Sequence, residues 1–346
     1  MRVGMMINYA GEFSRVVEEL GDFETAGLDI VFVPEAYTFD AVSQLGYIAA
    51  RTTRLELASG ILPVYSRTPT LTAMTAAGLD FVSGGRFTLG LGTSGPQVIE
   101  GWHGVRYDAP IGRTREVIEI CRKVWRRERV EYQGKHYTLP YEGGTGLGKP
   151  LKLINHPVRE RIPIIVAAIG PKNVAMTAEL AEGWQPIFYY PEKMDLVWAD
   201  PLAEGKAKRD ESLGDLDVIG AAPLAIGEGE DVIGLRDLMR GMFALYIGGM
   251  GARGKNFYND LACRFGYEDE ARKIQDAYLD GRKREAEALV PAELLEKTAL
   301  IGPRSYVAER VEALRESGVT TLNVTPLAPT HAERVAAVEE IRDLAR

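Results

Sequence analysis

The chain has two cysteines and four histidines in 346 residues, and each scarcity removes a class of chemistry. Cys121 and Cys263 stand far apart within helical patterns and form neither a C-x-x-C pair nor a disulfide framework, so both read as packing residues. His103, His136, His156 and His331 are scattered without metal-ligand spacing and no H-E-x-x-H occurs, so no metal site is expected. Basic charge is also short. The formal net charge of −8 opposes binding to a phosphate polyanion, and nucleic acid is not expected as a partner. The one basic cluster, Arg122, Lys123, Arg126, Arg127 and Arg129 around Trp125, reads as a solvated helix face. No apolar window approaches the length of a bilayer span, and the run 3–7 lacks a cleavage-like site and reads as a buried first strand. A cytoplasmic protein without membrane contact is the expectation. Neither G-x-S-x-G nor G-x-x-x-x-G-K-[ST] is present, so hydrolase and P-loop readings have no anchor.

What is present is an ordinary globular composition, 46% hydrophobic and 26% charged, arranged in alternating strand and helix patterns. Eight strands are expected at 3–7, 30–33, 55–59, 87–91, 162–167, 183–188, 218–226 and 321–325. Helices are expected at 12–26, 41–50, 69–82, 171–181, 305–317 and 331–344. Eight βα repeats predict an α/β fold, a (β/α)8 TIM barrel spanning 1–346 as one domain, with insertions after strands 4 and 7.

The densest motif is Gly90-Leu91-Gly92-Thr93-Ser94-Gly95, which fits G-x-G-x-x-G. A dinucleotide loop would follow the first strand, open an unbroken helix and meet an acidic strand end about twenty residues on. This run follows the fourth strand, Gly101 and Gly104 interrupt what comes next, and Glu116 and Glu119 fall in a helical pattern. The loop 8–12 after the first strand lacks matching glycines. The run therefore reads as a barrel strand leading into a mouth loop.

In such a barrel the site lies where the C-terminal strand ends converge. Strand two exits through Glu35 and Tyr37, strand three through Gly60 and Ile61, and strand four through Gly92, Thr93 and Gly95. Strand five ends in 167–173, where Gly170, Pro171 and Lys172 suit an anion at a helix N-terminus. Strand six adds Trp184 and Gln185. Glu35 also fits a salt-bridge partner or a carboxylate at a helix N-terminus, Gly170-Pro171 fits simple punctuation, and Trp102 and Trp184 fit core aromatics.

The segments 83–87, 90–102 and 167–173 resemble the luciferase-like monooxygenases, and within them the oxidoreductases that use the deazaflavin coenzyme F420. The resemblance covers nearly the whole chain and implies a barrel, a homodimer and a deazaflavin site at the mouth. It implies a cis peptide at Gly60-Ile61, and cofactor contacts from Gly60, Ile61, Gly92, Thr93 and Gly95. It further implies cofactor contacts from Ala167 and Pro171 and phosphate contacts from Ala168, Gly170 and Lys172. Glu35 becomes the candidate general acid/base, with Tyr37, Trp102 and Trp184 as candidate substrate contacts. Glu35 is followed by Ala36 rather than the histidine typical of the family's sugar-phosphate dehydrogenases, which argues against sugar-phosphate oxidation. A flavin mononucleotide-dependent monooxygenase and a non-catalytic binding protein remain the alternatives.

Overall fold

A computed structural model describes residues 1–7 and 12–346. Of the loop 8–12, read above as lacking matching glycines, residues 8–11 lie outside the described residues. Eight parallel strands close on themselves: β1 (Arg2–Met6), β2 (Ile30–Val33), β3 (Glu56–Ser59), β4 (Phe87–Gly92), β5 (Ile164–Ala167), β6 (Gly183–Gln185), β7 (Asp217–Ile226) and β8 (Thr321–Pro326). Each pairs with the next, β6 pairs with β7, and β8 returns to β1 through Val3↔Leu322 and its neighbours. This is the TIM barrel expected, with long insertions after β4 and β7. β6 stops three residues short of the expected end because Pro186 has no N–H for the ladder. A further short strand, Leu300–Gly302, pairs with the far end of β7 outside the closed ring.

The surrounding helices follow their sequence signals. They are α1 (Phe13–Thr25), α2 (Ala41–Arg51), α3 (Pro69–Ser83), α4 (Pro96–Gly101), α5 (Pro110–Trp125), α6 (Pro171–Leu180), α7 (Met194–Lys206), α8 (Phe257–Arg264), α9 (Glu268–Leu279), α10 (Arg304–Glu316) and α11 (His331–Leu344). Asp40 caps α2 by accepting from the Ser43 N–H, and Thr68 with Pro69 opens α3. α11 begins with a reciprocal capping box between Thr330 and Glu333. The charged segment 267–289 is helical but broken at Gly281, whose φ of 82° ends α9.

Two apolar clusters result. The larger lies between barrel and helices; the smaller, Ile30, Phe32, Ala58, Ile165 and Ile219 with Met6 against it, fills the barrel interior. Below it Arg2 bridges Glu56 at 2.6 Å and Asp217 at 3.8 Å at the N-terminal end. Trp125, inside the basic cluster, is buried and donates to the Ala73 carbonyl, while Arg122 pairs with Glu182 and Arg126 with Glu128.

β3 carries one more residue than β4 between the pairs Ala58↔Thr88 and Leu62↔Leu91. This bulge turns the Ser59 carbonyl toward β4, where a Cβ on Gly90 would sit 1.8 Å from its oxygen. The Ser59 hydroxyl accepts from the Gly90 N–H at 2.8 Å and donates to its carbonyl at 2.9 Å, so the bulge is stitched to that glycine. A Cβ on Gly92 would meet Ile61 at 2.7 Å, whereas Gly170 has nothing within 4 Å. Gly90→Ala is therefore expected to cost at least about 3 kcal/mol, as an overpacked core does. Gly170→Ala is expected to leave the free energy of urea unfolding within about 0.5 kcal/mol of the parent.

Candidate active site

Glu35, just beyond β2, meets Arg67 in a bidentate pair with contacts of 2.6 and 2.9 Å, and one of its oxygens also accepts from the Ala41 N–H at the start of α2. The two side chains are 8% and 14% exposed, so the pair is largely shielded from water. Both carboxylate oxygens are thus committed. The geometry realises together the salt-bridge partner and the helix N-terminal carboxylate, rather than the unpaired acid that a general acid/base reading assumed.

The bulge supplies the next wall. The Gly60-Ile61 peptide is cis, as the resemblance implied. Gly60 faces Phe32 and Met6, and Ile61 covers Gly92. Thr93 and Gly95 follow at the exit of β4, with Ser94 between them at a φ of 54°. Tyr107, from the first insertion, reaches back to donate toward the Thr93 hydroxyl at 3.3 Å and the Ser94 carbonyl at 3.4 Å. It packs 5.3 Å from the ring of Tyr65.

The turn after β5 is clamped from behind. The Trp184 indole N–H donates to the Ala168 carbonyl at 2.8 Å, and Trp198 and Arg264 each donate to the Ile169 carbonyl at 3.0 Å. Gly170 is the N-cap of α6 with no side-chain cap, and Asn173 and Val174 bond back to its carbonyl. Pro171 and Lys172 are exposed beside it. A ten-residue helix with an open, uncapped N-terminus and an adjacent lysine is a ready anion site.

Trp184 corrects the substrate-contact expectation. It is fully buried, packing edge-on to Trp198 at 5.2 Å, and supports the turn rather than facing the mouth. Tyr37 and Trp102 do come together: they are 65% and 67% exposed, with ring centroids 6.4 Å apart. Arg253 pairs with Asp276 on the surface.

Sequence reasoning missed most of the aromatic rim. The insertion after β7 contributes Tyr246 and Tyr258, whose rings meet edge-on at 4.7 Å, and beneath them buried Phe188 stacks on Phe243 at 4.1 Å. Buried Asn256 fixes that segment, donating to the carbonyls of Tyr246 and Ile247 and accepting from the Tyr258 N–H. Gln97 of α4 donates to the Gly249 carbonyl at 3.3 Å, joining the two insertions across the mouth. No sequence signal beyond position in a long insertion marked Tyr246, Tyr258 and Asn256.

Among the described residues no cluster could hold a metal ion, and no helix is long and apolar enough to cross a membrane. The chain belongs to the luciferase-like monooxygenase family, whose model matches residues 1–321. It is similar to a Mycobacterium tuberculosis protein named as a coenzyme F420-dependent oxidoreductase, 40% identical over 100% of this chain and 98% of that one. It is also similar to the 5,10-methylenetetrahydromethanopterin reductase of Archaeoglobus fulgidus, 25% identical over 91% and 90% of the two chains. Among solved structures, the coenzyme F420-dependent tetrahydromethanopterin reductase of Methanopyrus kandleri shares the fold. Its TM-score is 0.78 at 22% identity, over 98% of this chain and 96% of that one.

Two outcomes follow from this geometry. Glu35→Gln and Arg67→Met are each expected to cost about 3–5 kcal/mol, because each strands a buried partner. The double variant should fall short of the summed cost by about 2 kcal/mol or more in urea unfolding. Burial also pushes the phenols of Tyr65, Tyr107, Tyr246 and Tyr258 above the ordinary value of 10.0. A raised folded-state value contributes stability below the unfolded value that is lost as pH climbs through the folded one. Stability should thus hold up to about pH 10 and decline above it, and Tyr258→Phe should flatten that decline.

Proposed function

We propose that the barrel mouth binds coenzyme F420 and that the protein is an F420-dependent oxidoreductase acting on a small organic molecule. The observation that carries this reading is a cradle with two unlike parts. Gly60, Ala167 and Ala221 leave an opening lined by small residues, and the open N-terminus of α6 at Gly170 lies at the exit of β5. A flat ring with a phosphate-bearing tail fits that division. When bound, the coenzyme supplies hydride chemistry. The full-length relationship to the mycobacterial protein supports F420 over flavin mononucleotide.

The chain's own residues do the rest. Ile61, braced on Gly92, backs the ring, with Thr93 and Gly95 beside it, and Ala168, Pro171 and Lys172 complete the tail site. Tyr37 and Trp102 cover the substrate with Tyr246 and Tyr258 at the rim. Like any phenol Tyr107 carries its proton at neutral pH, and burial pushes its value further up, so its hydroxyl is a donor held at Thr93. Glu35 with Arg67 forms a fixed charge pair that anchors the N-terminus of α2 beside the mouth.

A homodimer accounts for Leu71, Met74, Phe81 and Val82, an exposed apolar stripe on α3 where Gly78 leaves open space. Cytoplasmic residence agrees with two unpaired cysteines. Titration with F420 and with flavin mononucleotide is the deciding measurement. F420 is expected to bind tightly and flavin mononucleotide weakly, and tight binding of flavin mononucleotide alone reverses the assignment.

A further inference from the structure

Two side chains inside the barrel have polar atoms without a partner among the described residues: Gln185 at Oε1, and Asn323 at both Oδ1 and Nδ2. They are 9% and 2% exposed. Their neighbours in the interior are satisfied. Thr321 donates to Asp217 at 2.8 Å, and Ser59 is bonded twice to Gly90. An unmet buried polar group is costly, so a pair of amides on adjacent barrel strands calls for a reason.

Strand pairing places them. Asn323 lies opposite Gly4 and Ala221, and Gln185 opposite Ala167, so side-chain alternation points both inward with the interior cluster. Following the register around the ring, with about one residue of stagger per strand, puts Phe32, Gly90, Gln185 and Asn323 in one layer. The next layer toward the mouth is Met6, Gly60, Ala167 and Ala221, all partly exposed. Only Met6 among these has a long side chain. The two amides therefore form the bottom of the opening, with Phe32 as its apolar half.

The geometry points to Gln185 and Asn323 as the hydrogen-bonding floor of the ring site, reading the polar edge of the ring system. The inference rests on the deazaflavin reading above. That edge presents carbonyl acceptors next to N–H donors, and a carboxamide offers both kinds of group. Two carboxamides can match a pyrimidinedione edge in either order, whereas a carboxylate or an ammonium could satisfy only one kind of atom. The floor thus fixes how deep the ring enters and which edge leads, while the tail is held at α6.

The test compares wild type with Asn323→Leu and Gln185→Leu in fluorescence titrations of F420 and of its deazaflavin riboside, which lacks the phosphate tail. Each substitution is expected to weaken both ligands roughly tenfold, since it leaves a ring polar atom unpaired. The absorption band of the bound ring should shift, and melting of the ligand-free protein should stay equal or rise. Wild-type affinity and an unshifted band in both variants overturn the floor alone, assigning the amides to internal hydration. Failure of wild type to bind F420 overturns the coenzyme reading and the floor with it. Should Asn323→Leu not fold, Gln185→Met decides by the same two readouts.

Discussion

The mouth of this barrel is organised by one extra residue in β3. An inserted residue in a strand of a closed barrel cannot be absorbed by fraying, because both flanks are held in register, so the bulge must project. It projects the Ser59 carbonyl against Gly90 and the Ile61 side chain against Gly92. Gly90 is thereby required by the wall itself: with a Cβ there, β3 and β4 could not keep their pairing on both sides of the bulge, whereas a Cβ at Gly92 would displace the Ile61 side chain. The pyrophosphate spacing of the run is incidental to that fit.

Once the glycine run is accounted for by the wall, anion binding needs another place, and the turn after β5 has the means. Its three buttresses, Trp184, Trp198 and Arg264, spend their donors on two successive carbonyls, Ala168 and Ile169. This orients the turn so that α6 begins at Gly170 without a side-chain cap. Rigid strands and clamped turns hold what is common to such sites, and the insertions supply the rim, where the aromatics come from two different connections. Their junction through Gln97 and Gly249 makes the rim one surface rather than two loops.

Legibility in the sequence tracked the range of the forces involved. Strand and helix positions follow from local periodicity and caps, and Thr68-Pro69 and Thr330 with Glu333 signalled their helices plainly. The convergence of Glu35, Gly60 and Gly170 on one end followed from barrel topology alone. What stayed hidden depended on partners distant in the chain. Arg67 lies 32 residues from Glu35, and nothing in either neighbourhood announces the pair. Trp184 looked like a mouth residue because it lies on strand six, but alternation turns it outward into the helix layer, one position before the inward Gln185.

That one-residue parity also explains how the interior is divided. β6 is short, so only Gly183 and Gln185 point in, and Gly183 has no room for a side chain because a Cβ would lie 2.9 Å from Ile165. The polar floor is consequently built high in the barrel, above the apolar layer of Ala58, Ile165 and Ile219 and away from the ionic layer of Arg2, Glu56 and Asp217. Separation matters in a low-dielectric core, where a nearby charge would have drawn the amides into internal bonds. Each amide left open costs about 1–3 kcal/mol in the ligand-free protein, and a ligand that fills it recovers that cost as affinity. Stability given up at the floor is the means by which a barrel of otherwise satisfied polar groups favours a ring with matching polar atoms over one of the same shape without them.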